Sequence, residues 1–191
     1  MTRATVMLRT AVVEDAAVLR ELWADVLRSA PLPDQLSDVV GIIETAASDP
    51  DARVVVAEVD GHVVGAVHLR CAPITALNLD QMVHAFAPHV LPDHQRRGVG
   101  AALMDSAVTF AEERGTAYVG SAALASSRDA NRFLARLAMA PRAVLRVAHT
   151  HALRQRLSAS RPSRGVGSSS SRHIDKVLAA RRGRRGSRID S

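Results

Sequence analysis

The chain has 191 residues, enough for one domain with a sizeable core; 47% are hydrophobic but only 3% aromatic, so Val, Leu, Ile and Ala must fill that core. A single cysteine, Cys71, excludes an intrachain disulfide and a cysteine-based metal site and suits a reducing cytoplasm. There is no apolar run long enough for a membrane span, and the N-terminus does not read as a secretory signal. Residues 158–191 hold nine Lys or Arg against Asp175 and Asp190, or +7; the whole chain is +6, which leaves residues 1–157 at about −1.

Residues 6–9 read as a first strand. Over 15–27, Val18, Leu19, Leu22, Trp23, Val26 and Leu27 recur at helical spacing, and Pro31 and Pro33 break the pattern. A second helix is expected over 37–47 through Val39, Val40, Ile42, Ile43 and Ala46. Two β-rich runs, 53–59 and 62–70, flank Asp60-Gly61, a pair suited to a hairpin turn because both positions take positive φ. Residues 71–80 read as a loop and 81–86 as a strand continuing loosely to Val90. Val99, Leu103, Ala107 and Phe110 line one face of a helix over 99–114, and Gly115 stands at its C-terminal cap. A buried strand is expected over 117–124. Ser126 then caps a helix with an Ala130, Phe133, Leu134 and Leu137 stripe, which Pro141 ends. A last strand over 143–148 and a short helical piece over 152–157 complete a domain spanning 1–157. The tail, 158–191, reads as a flexible basic linker with a short helix over 174–182. This order predicts an α+β (α/β) fold: a mixed, mostly antiparallel sheet with helices on both faces.

The chemistry concentrates between the strand ending near Val90 and the helix starting at Val99. A helix N-terminus presents unpaired N–H groups and the positive end of its dipole. Gly98 and Gly100 let a bulky anion approach the backbone, and Arg96 and Arg97 add charge, so the turn suits a diphosphate. It lacks the Gly-Lys-Ser/Thr ending of a nucleoside-triphosphate loop and the third glycine of the dinucleotide fingerprint. A Gly-x-Gly pair alone also fits a plain strand-to-helix turn.

Val90-x-Pro92 followed by Gln95-x-x-Gly98-x-Gly100 and a small residue resembles the acetyl-CoA motif of the GNAT superfamily of N-acetyltransferases. The hairpin before it and the strand and Asn131-bearing helix after it fall in that family's order, over roughly residues 6–148. The resemblance implies acetyl-CoA as cosubstrate, with its pyrophosphate on the amides of Arg96, Arg97, Gly98, Val99, Gly100 and Ala101 after Gln95. It also implies a splayed strand end near His89, Val90 and Leu91 that pairs with the pantetheine arm, and Asn131 near that arm. The reaction implied is direct transfer of acetyl to a primary amine, with no metal and a cytoplasmic setting.

An attacking amine must lose a proton. His84, on the strand entering the motif, stands where some relatives carry a glutamate base, and its side-chain type titrates near ~6.5; the alternative is a strand histidine with a satisfied hydrogen bond. His89 is the second candidate, beside the expected acetyl position, or else a solvent-facing residue. His68 is placed to pair across with His84, and His149 and His151 to reach the acceptor side.

Two departures from the family pattern stand out. Leu134 occupies the place of a tyrosine that often protonates the leaving thiolate, and Tyr118 does not replace it. One strand after Met139 stands where two are usual, so the acceptor pocket is open or completed by a second subunit in a homodimer. Two other readings follow: a catalytically degenerate acetyl-CoA-binding protein, and a nucleic-acid-associated protein whose arginine-rich tail adds weak, salt-sensitive phosphate affinity. A solubilising terminus is favoured over the last.

Overall fold

The β-branched runs on either side of Asp60-Gly61 form the centre of the sheet in the computed structural model, which describes residues 5–160. β2 (Ala52–Val59) and β3 (His62–Pro73) pair antiparallel, and Asp60 and Gly61 take φ of 52° and 77° as the turn requires. β1 (Met7–Thr10) joins β2 antiparallel, β4 (Gln81–Val90) joins β3 antiparallel, and β5 (Val119–Ser121) joins β4 parallel. Sheet order is therefore β1-β2-β3-β4-β5, the mixed, mostly antiparallel sheet expected.

Strand pleating sorts the core into two layers. Val55, Ala57, Val59, Val67, Leu69, Val83 and Ala85 pack with α3 (Val99–Glu113), where Leu103, Ala107 and Phe110 are buried. Their neighbours Val54, Val56 and Ala66 face α1 (Ala16–Leu22) and α2 (Leu32–Ser48), with Leu19, Trp23, Val39 and Ile43 between. The period-two alternation thus places helices on both faces. At the sheet's open edge Arg9 bonds Asp15 through two nitrogens, at 2.7 and 2.8 Å, and reaches Glu58 at 2.8 Å. The Asp15 carboxylate also accepts from the Val12 amide.

Several local expectations are corrected. The first helix ends at Leu22, and turns carry the chain to α2, which starts at Leu32. Pro33 sits in its first turn, where the missing N–H costs no helical bond, and so does not break it. β3 runs on through Cys71 to Pro73, because β4 supplies partners along its whole length. The strand over 117–124 shrinks to Val119–Ser121 and is half-buried. α4 (Arg128–Arg136) has Ser127, not Ser126, at its N-cap, and Leu137 on its expected stripe is exposed.

The chain divides into two compact units, Met1–Ala140 and Pro141–Ser191. In the second, α5 spans Thr150–Ala159 and His149 caps it. The strand expected over 143–148 does not form: Val144, Leu145 and Val147 are 73%, 89% and 85% exposed and have no regular structure. A short apolar run becomes a strand only when an edge offers it hydrogen bonds. The tail beyond residue 160, with its helix expected over 174–182, lies outside the described residues. Among the described residues no helix is long and apolar enough to cross a membrane.

Candidate functional site

β4 outruns its neighbour. Its last β5 partner is Ala85, opposite Ser121, and the strand continues from Phe86 to Val90. The Ser121 hydroxyl donates to the Ala85 carbonyl at 2.9 Å, where another β5 amide would otherwise continue the ladder. Past this point the β4 edge is open.

The open stretch also bends. Ala66 pairs with His89 and His68 with Phe86, so Val67 alone faces both Ala87 and Pro88. That two-against-one count is a β-bulge, and Ala87 takes a φ of 46°, rare for a residue with a side chain. Pro88 has no N–H to give the ladder, which favours a bulge at this point. The Trp23 indole N–H donates to the Ala87 carbonyl at 2.9 Å and holds the distorted unit from the α1 side. Beyond the bulge the Leu91 amide bonds the Val64 carbonyl at 2.8 Å. Antiparallel alternation then turns the N–H and C=O of Val90 away from β3, toward the gap that β5 leaves. The Gln95 side-chain amide donates to that Val90 carbonyl at 3.2 Å.

A short 3₁₀ turn, Pro92–His94, leads from β4 into the glycine turn. Arg96 takes φ 60° and Gly98 φ 92°, which unwinds the chain just before α3. The helical bonding begins with the Ala102 amide on the Gly98 carbonyl. Among the described residues the six amides from Arg96 to Ala101 have no intrachain acceptor. Arg96, Arg97 and Gly98 are exposed, and neither arginine has an ion pair among the described residues. Val99 is buried, and its side chain packs in the core with Leu103.

The two glycines act differently. Around Gly98 nothing lies within 4 Å of an added Cβ, so its conformation is what demands glycine. An added Cβ at Gly100 would meet the Phe133 ring at 3.3 Å. Gly100 therefore also lets the Phe133 ring come close.

On β4, His84 and Phe86 alternate with Val83 and Ala85 and so face the α1/α2 side. The His84 Nε2–H donates to the Pro73 carbonyl at 3.2 Å, and its ring stacks on Phe86 with centroids 5.5 Å apart. A carbonyl only accepts, so Nε2 carries the hydrogen and a neutral His84 keeps its lone pair on Nδ1. His68 does not pair with His84: the register sets Phe86 opposite it, and the two rings stack at 5.8 Å. Burial and nearby Arg70 push the His68 imidazole below its ordinary value of 6.5. His89 Nε2 lies 3.1 Å from the Asp25 carboxylate, and its Nδ1 is buried without a partner.

Asn131 is exposed and ties its own loop, its amide donating to the Leu124 and Ser127 carbonyls at 3.0 and 2.6 Å. Leu134 is half-buried and Tyr118 is 53% exposed. His149 and His151 lie in the second unit with their rings 6.3 Å apart. Among the described residues no group of three His, Cys, Asp or Glu is gathered for a metal. Sequence reasoning missed Trp23 as a clamp, Asp25 and Ser121. Trp23 alone carried a signal, as the single tryptophan of an aromatic-poor chain.

A mixed sheet opened between its fourth and fifth strands, beside a helix whose first amides are free, defines an acyltransferase fold. The chain belongs to the acetyltransferase (GNAT) family, whose profile matches residues 16–139. No curated protein matches it in sequence. Many solved structures share the fold. A transcriptional regulator from Bacillus halodurans C-125 is 22% identical, with a TM-score of 0.65 over 76% of this chain and 99% of that one. A ribosomal-protein-alanine N-acetyltransferase from Brucella melitensis biovar Abortus 2308 is 23% identical, with a TM-score of 0.57 over 76% and 99%. The aminoglycoside N-acetyltransferase AAC(6')-Iy, in complex with CoA, is 15% identical, with a TM-score of 0.64 over 76% and 95%.

Proposed function

We propose that this acyltransferase moves the acetyl group of acetyl-CoA directly onto a primary amine. The observation that carries this reading is the run of six partnerless amides from Arg96 to Ala101, beside the open edge of β4. These amides, with Arg96 and Arg97, suit the coenzyme's pyrophosphate. Val90 turns an N–H into the gap, where it can stabilise charge growing on the thioester oxygen. Asn131 holds the loop bordering that gap and serves the pantetheine arm indirectly.

The amine arrives protonated and must give up a proton before its nitrogen can attack the acetyl carbon. Of the two candidate imidazoles, His84 is the better base, because Nε2 is held by Pro73 and Nδ1 is left as an acceptor. His89 has its one partnered nitrogen on Asp25 and its other nitrogen covered. As the C–N bond forms, the C–S bond breaks. Leu134 has no proton to give, so the thiolate leaves unassisted and takes its proton from solvent, as an ordinary thiol acidity allows.

The test is release of free thiol from acetyl-CoA against a mixed panel of primary amines, with coenzyme binding measured in parallel. Amine-dependent release is expected. Tight binding with no release from any amine would leave a coenzyme-binding protein, and no binding at all would remove the cradle as well.

A further inference from the structure

Between α1 and α2 the chain turns over the open end of β4 and is tied to it twice. Trp23 donates to the Ala87 carbonyl at 2.9 Å, and the Asp25 carboxylate meets His89 Nε2 at 3.1 Å. Ala87 is the strained residue of the bulge, and His89 is the next residue after it that faces β3, paired with Ala66. Val90, whose N–H points into the gap, follows directly. We infer that Asp25 is a positioning residue that fixes the direction of the Val90 amide by holding the His89 ring.

The chemistry follows from what each atom can do. A carboxylate accepts, so His89 Nε2 must carry the hydrogen, and Asp25 thereby selects that tautomer and the ring's orientation. His89 Nδ1 is buried with no partner, so nothing else in the described structure orients the ring by hydrogen bonding. The strand at this point has Pro88 without an N–H and no β5 neighbour, and is short of backbone bonds. A side-chain tie from the α1–α2 turn replaces part of the missing ladder. Small rotations there matter, since a donor stabilises a developing oxyanion only when aimed at it.

The inference rests on the role proposed for Val90, and its test separates the two. With 15N-labelled protein, Asp25→Ala should convert the His89 ring from a single Nε2–H tautomer to a mixture and shift the Val90 amide resonance. Thiol release with the best amine of the panel should fall about tenfold in kcat, while KM for acetyl-CoA stays within about twofold. Asp25→Asn keeps an oxygen acceptor and should recover most of the rate, which a general loss of folding would not do. An unmoved Val90 resonance and unchanged kcat in Asp25→Ala would overturn the inference. So would an equal loss of coenzyme affinity and rate, or no recovery in Asp25→Asn. Should the wild-type chain release no thiol, the proposed activity falls, and the Val90 and His89 resonances alone decide the positioning role.

Discussion

The single tryptophan of the chain, Trp23, donates its indole N–H to the carbonyl of Ala87, a residue held at φ 46° in the bulge of β4. This bond joins the α1–α2 turn to a place where the pairing of β3 and β4 departs from regularity. A residue with a Cβ at positive φ costs about 1–2 kcal/mol, so the surroundings must hold it there. Trp23→Phe keeps an aromatic ring in the second core layer but removes the donor and some buried volume. Stability by urea unfolding should fall by about 1–3 kcal/mol or more, from an unpaired, part-buried carbonyl together with the lost packing. Amide exchange around Ala87 should quicken more than exchange in β2.

Gly98 separates conformational from steric demands. Nothing lies near its missing Cβ, yet its φ is 92°. Gly98→Ala should therefore weaken acetyl-CoA binding by about tenfold through the roughly 1–2 kcal/mol cost of that φ, measured by calorimetry. At Gly100 the neighbour is Phe133 at 3.3 Å. Gly100→Val should push the Phe133 ring away, lower the melting temperature and reduce binding together.

His84 sits on the face of the sheet opposite α3, whose first turn carries the cradle. Removing it should leave the coenzyme site intact. His84→Ala should slow amine-dependent thiol release by about 10²–10⁴-fold, the usual worth of a positioned base, with acetyl-CoA affinity unchanged. An equal loss of affinity would show that His84 serves the fold instead.

Acid should unfold the protein in two stages. The His68 imidazole is pushed below 6.5, chiefly by burial, so the unfolded chain binds that proton first. Its contribution is full above 6.5 and declines as pH falls toward the lower folded value, with a slope of at most about 1.4 kcal/mol per pH unit. Arg9 holds the Asp15 carboxyl below its ordinary 3.8, so a second loss begins only near that pH. The difference in unfolding free energy between wild type and His68→Gln should begin to change as pH falls through about 6.5 and level off only once the folded imidazole is itself protonated. Asp15→Asn should lose about 2 kcal/mol near neutral pH, the worth of charged hydrogen bonds, and be less sensitive below pH 4.

Features that a few neighbouring residues dictate were legible in the chain. Asp60-Gly61 specified its hairpin because two consecutive positive φ angles suit few other pairs. The face made by Val99, Leu103, Ala107 and Phe110, closed by Gly115, specified α3. The turn from Gln95 to Gly100 announced a helix start with free amides, because such amides follow from any helix start and Gly98 relieves the strain. What depends on distant partners was misread or missed. Residues 143–148 have a strand's β-branched, apolar composition and no strand. His68 met Phe86 instead of His84 because the strand register sets Arg70, two residues further along β3, opposite His84.

By itself, then, the order of residues determined the hairpin, the helix behind the glycine turn and the free amides between them, because each is satisfied within about a dozen residues of chain. Only the tertiary structure decided where β5 stops, which strand bends, and that the α1–α2 turn would reach His89 and Ala87. Those outcomes turn on which edges and side chains meet after packing, and residues 64 positions apart, as Trp23 and Ala87 are, leave no local pattern of their meeting.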